Sequence, residues 1–154
     1  MTLEDIARIA DVFYIGGTKV GAMFGEAVVF THGNMPKNFV TLVKQHGALL
    51  AKGWLLGVQF DTLFTDDLYC RIARHANDAA DRIREVLVER GYTLTFDAPT
   101  NQIFITLDNA TSERLQRNVR LGFMEKADDT HTVMRICTSW ATTDEQVEQL
   151  IALL

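Results

Sequence analysis

Lys19 sits in the run Asp11-Val-Phe-Tyr-Ile-Gly-Gly-Thr-Lys-Val-Gly21, with two glycines just before it and a third just after. Glycines let a turn take backbone angles closed to other residues and let a ligand approach the chain closely. A lysine in such a turn is a candidate nucleophile or Schiff-base partner, because a desolvated amine gives up its proton and frees its lone pair. A solvated lysine on a Gly-rich hairpin is the plainer alternative. A phosphate-binding loop is excluded, since no Gly-Lys-Ser/Thr occurs and no helical pattern opens directly after the lysine. A second candidate is Arg135, which lies between Met134 and Ile136 in an apolar run and must point away from both if that run is a strand. On its residues alone it reads as an exposed edge-strand arginine. No CxxC or His/Cys cluster suggests a metal site, and the two cysteines, Cys70 and Cys137, read as free thiols.

The elements that would position these residues follow from pattern. Thr2 can cap a helix to Ala10, and strands Val12–Ile15 and Ala27–Phe30 flank the glycine-lysine turn. Pro36 suits the start of a helix that runs from Lys37 through Phe64, interrupted around His46-Gly47. Leu49, Leu50, Trp54, Leu55, Leu56, Val58 and Phe60 leave that helix apolar on nearly every side, so it should be buried by its own domain or by a second subunit. Asp66 and Asp67 should cap a helix from Leu68 to Arg90, with Asp78 and Arg82 on its wet side and Gly91 as its stop. Strands 93–96, 102–107, 121–125 and 133–138 follow, with a short helix at 111–118 and a final helix opened by the capping pair Thr143 and Gln146. Asn101 should tie down the Pro99 turn, His75 should pack or cap, and Met23, Phe24, Phe39, Phe60, Phe64 and Phe104 should be core. The expected fold class is α+β, with residues 1–64 as part of something larger and residues 65–154 as a small domain built on a mainly antiparallel sheet of three or four strands.

At 154 residues and a net charge of −5, the chain is long enough for a real core and is not a non-specific nucleic-acid binder. It has no apolar run long enough to span a membrane and no basic-then-apolar leader, so a cytoplasmic location is expected.

Several segments, in order, resemble a known family. The lysine run, Gly25-Glu-Ala-Val-Val29, Leu50-Ala-Lys-Gly-Trp-Leu-Leu-Gly57, Ile72-Ala-Arg-His-Ala-Asn77, Pro99-Thr-Asn-Gln-Ile-Phe104 and Val133–Thr143 are similar to segments of the low-specificity L-threonine aldolases and their β-eliminating lyase relatives. The resemblance spans essentially the whole chain but only the C-terminal half of the family. It implies a pyridoxal-phosphate (PLP) enzyme of fold type I, related to aspartate aminotransferase. Lys19 would then hold the cofactor aldehyde, Lys52 would help neutralise its phosphate, and Arg135 would grip the substrate α-carboxylate. The reaction implied is cleavage of L-threonine, or another β-hydroxy-α-amino acid, to glycine and an aldehyde, by a homo-oligomer. The family's Asp-Gly-Ala-Arg acid for the pyridine nitrogen is not matched by Glu4, Asp5 or Asp11. This stretch alone is therefore expected to be inactive, unless an N-terminal companion chain restores the site. The alternatives are a β-eliminating lyase of the same fold, or a non-enzymatic module that self-associates through helix 37–64.

Overall fold

A computed structural model describes residues 2–154 and divides the chain into two compact units, which meet in sequence between Tyr69 and Cys70.

The first unit opens with helix α1, Leu3–Ile9. Thr2 accepts from the Asp5 backbone N–H, and the Asp5 side chain accepts from the Thr2 N–H, so two orphan amides of the first turn are satisfied reciprocally. Strands β1 (Val12–Gly16) and β2 (Glu26–Phe30) form an antiparallel hairpin, with Tyr14 opposite Val28 and Gly16 opposite Glu26. Between them the chain makes one turn of 3-10 helix over Thr18–Val20, closed by Gly21 at φ 98°. Gly17 is needed there because a Cβ would stand 2.6 Å from that of Ala22 and 3.0 Å from the Phe60 ring.

The long helix expected over 37–64 is two helices, α2 (Phe39–Gln45) and α3 (Trp54–Phe64). The interruption foreseen at His46-Gly47 is wider than a kink. Gly47 adopts φ 69°, and the chain stays irregular to Gly53. Pro36 does not begin the helix either: its carbonyl accepts from the Phe39 N–H in a preceding turn, and Asn38 takes the N-cap position. The Met and Phe residues read as core need a larger correction. Phe60 is buried, whereas Met23, Phe24 and Phe64 are exposed, as are Leu49, Leu50, Trp54, Leu55 and Val58. The described chain does not supply the cover that the all-apolar pattern calls for.

Asp66 and Asp67 do not cap the next helix in extended geometry. Both sit in the left-handed region, at φ 51° and 58°, where Asp is tolerated better than most side chains. They turn the chain into helix α4, Leu68–Glu89, which ends at Gly91 with φ 78°.

The second unit is an α+β layer. Strands β3 (Thr93–Leu94), β4 (Gln102–Asp108), β5 (Gly122–Lys126) and β6 (His131–Cys137) form an antiparallel sheet in the order β3-β4-β6-β5. Ile103, Ile105, Leu107, Met134 and Ile136 pack against Ala79, Ala80, Ile83 and Leu87 of α4. Leu115 of helix α5 (Asn109–Gln116) and Val147 of helix α6 (Asp144–Leu153) complete this core. Because strand side chains alternate, Gln102, Phe104, Thr106, Val133, Arg135 and Cys137 belong to the other face of the sheet. Thr143 and Gln146 form the expected capping box at α6. Arg82 does not turn to Asp78; it bonds Asp144 at 2.7 Å and Glu148, both on α6.

The turn between β5 and β6 is organised by Asp128, whose carboxylate accepts from the Thr130 and His131 backbone N–H groups and from the Thr130 hydroxyl. Donation from Thr130 and His131 holds this carboxyl well below its ordinary value. A lowered carboxyl pKa stabilises the fold at pH values above the unfolded-state pKa and loses that contribution as pH falls toward the lowered value. Asp128→Ala should therefore lower the melting temperature at neutral pH. The gap to the unmodified chain should shrink once pH drops below about 4. Melting curves across pH 2–7 check this, and a gap that is constant with pH would contradict it.

Candidate active-site residues

Lys19 lies at the centre of the 3-10 turn and is exposed, with no ion pair or hydrogen bond to its amine among the described residues. The turn itself is well anchored. The Val20 and Ala22 N–H groups both donate to Gly17 O, the Met23 N–H donates to Gln59 Oε1 at 2.7 Å, and the Tyr69 hydroxyl donates to Gly16 O at 2.8 Å. Val20 and Ala22, which follow the lysine, are buried. A rigid turn thus presents a free amine, which is what condensation with an aldehyde needs. The desolvation expected from the sequence is not supplied within the described chain. Lys52 is exposed too, and it stands in the turn before α3 and not on a buried helix.

Arg135 differs from its plain sequence reading. β6 is bonded to β4 on one side and β5 on the other, so this is no edge-strand arginine, and it is half-buried. Its Nη1 donates to Gln102 Oε1 at 3.3 Å, and its Nε is buried with no acceptor among the described residues. A buried donor left unmade costs about 1–3 kcal/mol, and native structures keep few of them. The chain's own groups do not satisfy this guanidinium, which suits a site meant for an anion.

The loop after β6 is held from two directions. Thr138, buried, donates its hydroxyl to Ala76 O at 2.6 Å. Asn101 Nδ2 donates to Thr138 O at 2.7 Å while the Thr138 N–H donates to Asn101 O. Asn101 therefore ties down the end of β6 and not the Pro99 turn, whose Ala98 and Thr100 carbonyls accept from Arg84. His75 Nε2 meets Thr142 O at 2.8 Å, an anchoring role in keeping with its position beside the apolar stripe of α4. Thr138→Val removes one donor and leaves Ala76 O to find another partner. It should cost about 1–3 kcal/mol in urea unfolding, and a loss within a few tenths of a kcal/mol would mean this bond is dispensable. Sequence reasoning had no signal for Gln102 or Thr138, because their partners lie 33 and 62 residues away. Among the described residues no group of His, Cys, Asp and Glu side chains could hold a metal, and no helix is long and apolar enough to cross a membrane.

No protein-family model matches the chain. Among characterised proteins, the low-specificity L-threonine aldolase of Pseudomonas aeruginosa is 30% identical over 141 residues, which is 91% of this chain and 40% of that enzyme. The enzyme of the same name from a Pseudomonas species is 30% identical over 143 residues, covering 92% of this chain and 40% of its own length. Among solved structures, Leishmania major threonine aldolase superposes with a TM-score of 0.94 at 39% identity, over 99% of this chain and 45% of its own. Sphingomonas wittichii serine palmitoyltransferase, at 18% identity and a TM-score of 0.62 over 94% of this chain and 38% of its own, shares the fold. The chain spans about two fifths of the length of the curated relatives it matches. By sequence and by fold the chain is similar to one part of the low-specificity L-threonine aldolases and shares their fold type I architecture over that part.

Proposed function

We propose that this chain supplies the cofactor lysine and the substrate-carboxylate arginine of a PLP-dependent threonine aldolase. The observation that carries the reading is the alignment of nearly the whole chain with threonine aldolases. An exposed, unpaired Lys19 on a rigid glycine turn and an incompletely satisfied Arg135 are what such a site would use. Lys19 fits the cofactor, its amine being open to the aldehyde, and the Arg135 guanidinium has donor capacity left for the substrate carboxylate.

When bound, the cofactor supplies an electron sink for the carbanion left as the Cα–Cβ bond of a β-hydroxy-α-amino acid breaks. The protein's share is positional. Lys19 would hold the cofactor and, once released by an incoming amino acid, would be the free amine on hand to carry a proton. Arg135 would fix the amino acid through its carboxylate with a planar, two-pronged donor that a lysine cannot imitate. Lys52 would contribute positive charge toward the cofactor phosphate. The stretches that relatives carry beyond the matched region are needed for turnover, so these 154 residues alone should bind the cofactor without cleaving threonine.

Incubation with pyridoxal phosphate, reduction with borohydride and peptide mass spectrometry test the lysine directly. The pyridoxyl group should be found on Lys19, and Lys52→Ala should reduce its yield at limiting cofactor about threefold by removing the charge proposed for the phosphate. An unchanged yield would dismiss Lys52. In a reconstituted enzyme, acetaldehyde and glycine from L-threonine would support the aldolase reading. Ammonia and a keto acid would instead support the β-eliminating lyase.

The exposed apolar residues Leu49, Leu50, Trp54, Leu55 and Val58 favour assembly with a second copy of the chain. Sedimentation should find a dimer or larger species that Trp54→Glu with Val58→Glu converts to monomer. A well-behaved monomer at high concentration before mutation would oppose assembly.

A further inference from the structure

Arg135 is set between two unlike neighbours across the sheet. Phe104 on β4 stands directly opposite it on one side, and Gly122 on β5 on the other. Phe104 is itself braced by the Phe96 ring, stacked with centroids 4.6 Å apart. A Cβ placed on Gly122 would lie 3.6 Å from both the Cβ and the Nε of Arg135 and 3.4 Å from its carbonyl oxygen. The arginine side chain therefore runs beside the space that a side chain at Gly122 would fill. A glycine within a strand weakens the strand, and it often marks a place where another group must come close. On the opposite side Gln102, two residues further along β4 and on the same face, accepts from Nη1.

We infer that Gln102 and Gly122 are positioning residues that hold the Arg135 guanidinium in one orientation for a ligand carboxylate. The inference rests on the carboxylate role proposed above for Arg135. Glycine leaves room for the guanidinium stem to lie over β5, and the amide oxygen of Gln102 fixes Nη1 from the β4 side. A glutamine suits this task better than a glutamate. Its oxygen accepts a hydrogen bond but leaves the positive charge whole, whereas a carboxylate at the same place would pair with the fork and compete with the ligand. An arginine already fixed in its binding rotamer loses less freedom when the ligand arrives, so part of the ordering cost is met by the fold.

The test uses the 15N-labelled chain and follows the Nε–H signal of Arg135, identified by its loss in Arg135→Lys. Acetate is the probe, and acetamide is its uncharged control. Acetate should shift the signal saturably and acetamide should not. Gln102→Glu and Gly122→Val should each weaken acetate binding about tenfold, while Gly122→Ala, whose methyl sits at ordinary contact distance, should stay within about twofold. Backbone amide spectra confirm that each variant is folded, and a purely structural role for Gly122 would not produce the graded Ala–Val response. If acetate binds and both variants bind it as tightly as the original chain, the positioning inference falls while the role of Arg135 survives. If acetate leaves the Arg135 signal unmoved in the original chain, both fall together.

Discussion

Lys19→Ala is expected to abolish the preferred site of pyridoxal-phosphate attachment in this chain. The chain has five lysines, Lys19, Lys37, Lys44, Lys52 and Lys126, and all are exposed. Exposure alone therefore predicts similar labelling of each, since any accessible amine reacts slowly with an aldehyde. What separates Lys19 is its setting. It is carried on a turn fixed by Gly17, Gln59 and Tyr69, just ahead of the buried Val20 and Ala22, whereas Lys52 stands in an irregular stretch. With cofactor near equimolar, borohydride trapping should load Lys19 about tenfold more than Lys37, Lys44 or Lys126, the advantage expected of a pre-oriented nucleophile. In Lys19→Ala the total incorporation should fall to the level of those surface amines. Even labelling of all five lysines would sink the assignment, whatever the sequence likeness.

Gly25→Ala should be the most damaging single methyl added to the lysine hairpin. Gly25 adopts φ +91°, where an L side chain is strained, and its Cβ would fall 2.0 Å from Leu56 Cδ2 on α3. Two penalties combine: backbone strain of about 1–3 kcal/mol, and displacement of Leu56 from its packing at about 1–3 kcal/mol. A loss of about 2–6 kcal/mol in urea unfolding follows. Gly33→Ala separates the two causes, because Gly33 also has positive φ, +64°, but has open space around its Cβ position. It should cost about 1–3 kcal/mol, the backbone share alone. If the two variants melt alike, the contact with Leu56 carries no weight, and Lys19 trapping should then be equally preserved in both.

The residues that read correctly from the chain did so because their physics is local. Thr2 and Thr143 cap helices through partners three residues away, Gly91 ends α4 by its own backbone freedom, and the apolar stripe of α4 repeats within a few turns. The alternation that sends Arg135 away from Met134 and Ile136 is a property of any strand. Lys19 stood out for the same reason, since glycines on both sides announce a special turn without reference to the rest of the fold. Other contacts depend on distant groups, which no local pattern names. Arg82 had Asp78 within helical reach, but the acids of α6 drew it instead.

Sequence by itself determined the α+β class, the hairpin bearing Lys19 and the family likeness, because periodicity, turn chemistry and ordered motifs all survive without coordinates. Only tertiary structure decided that β6 is a central strand, that Gln102 and Gly122 flank Arg135, and that the greasy stretch from Leu49 to Val58 is left exposed by this chain. Strand order and cross-strand neighbours depend on pairings between segments tens of residues apart. Two sequences with the same local patterns can satisfy those pairings in different orders, so no local pattern encodes which one the chain adopts.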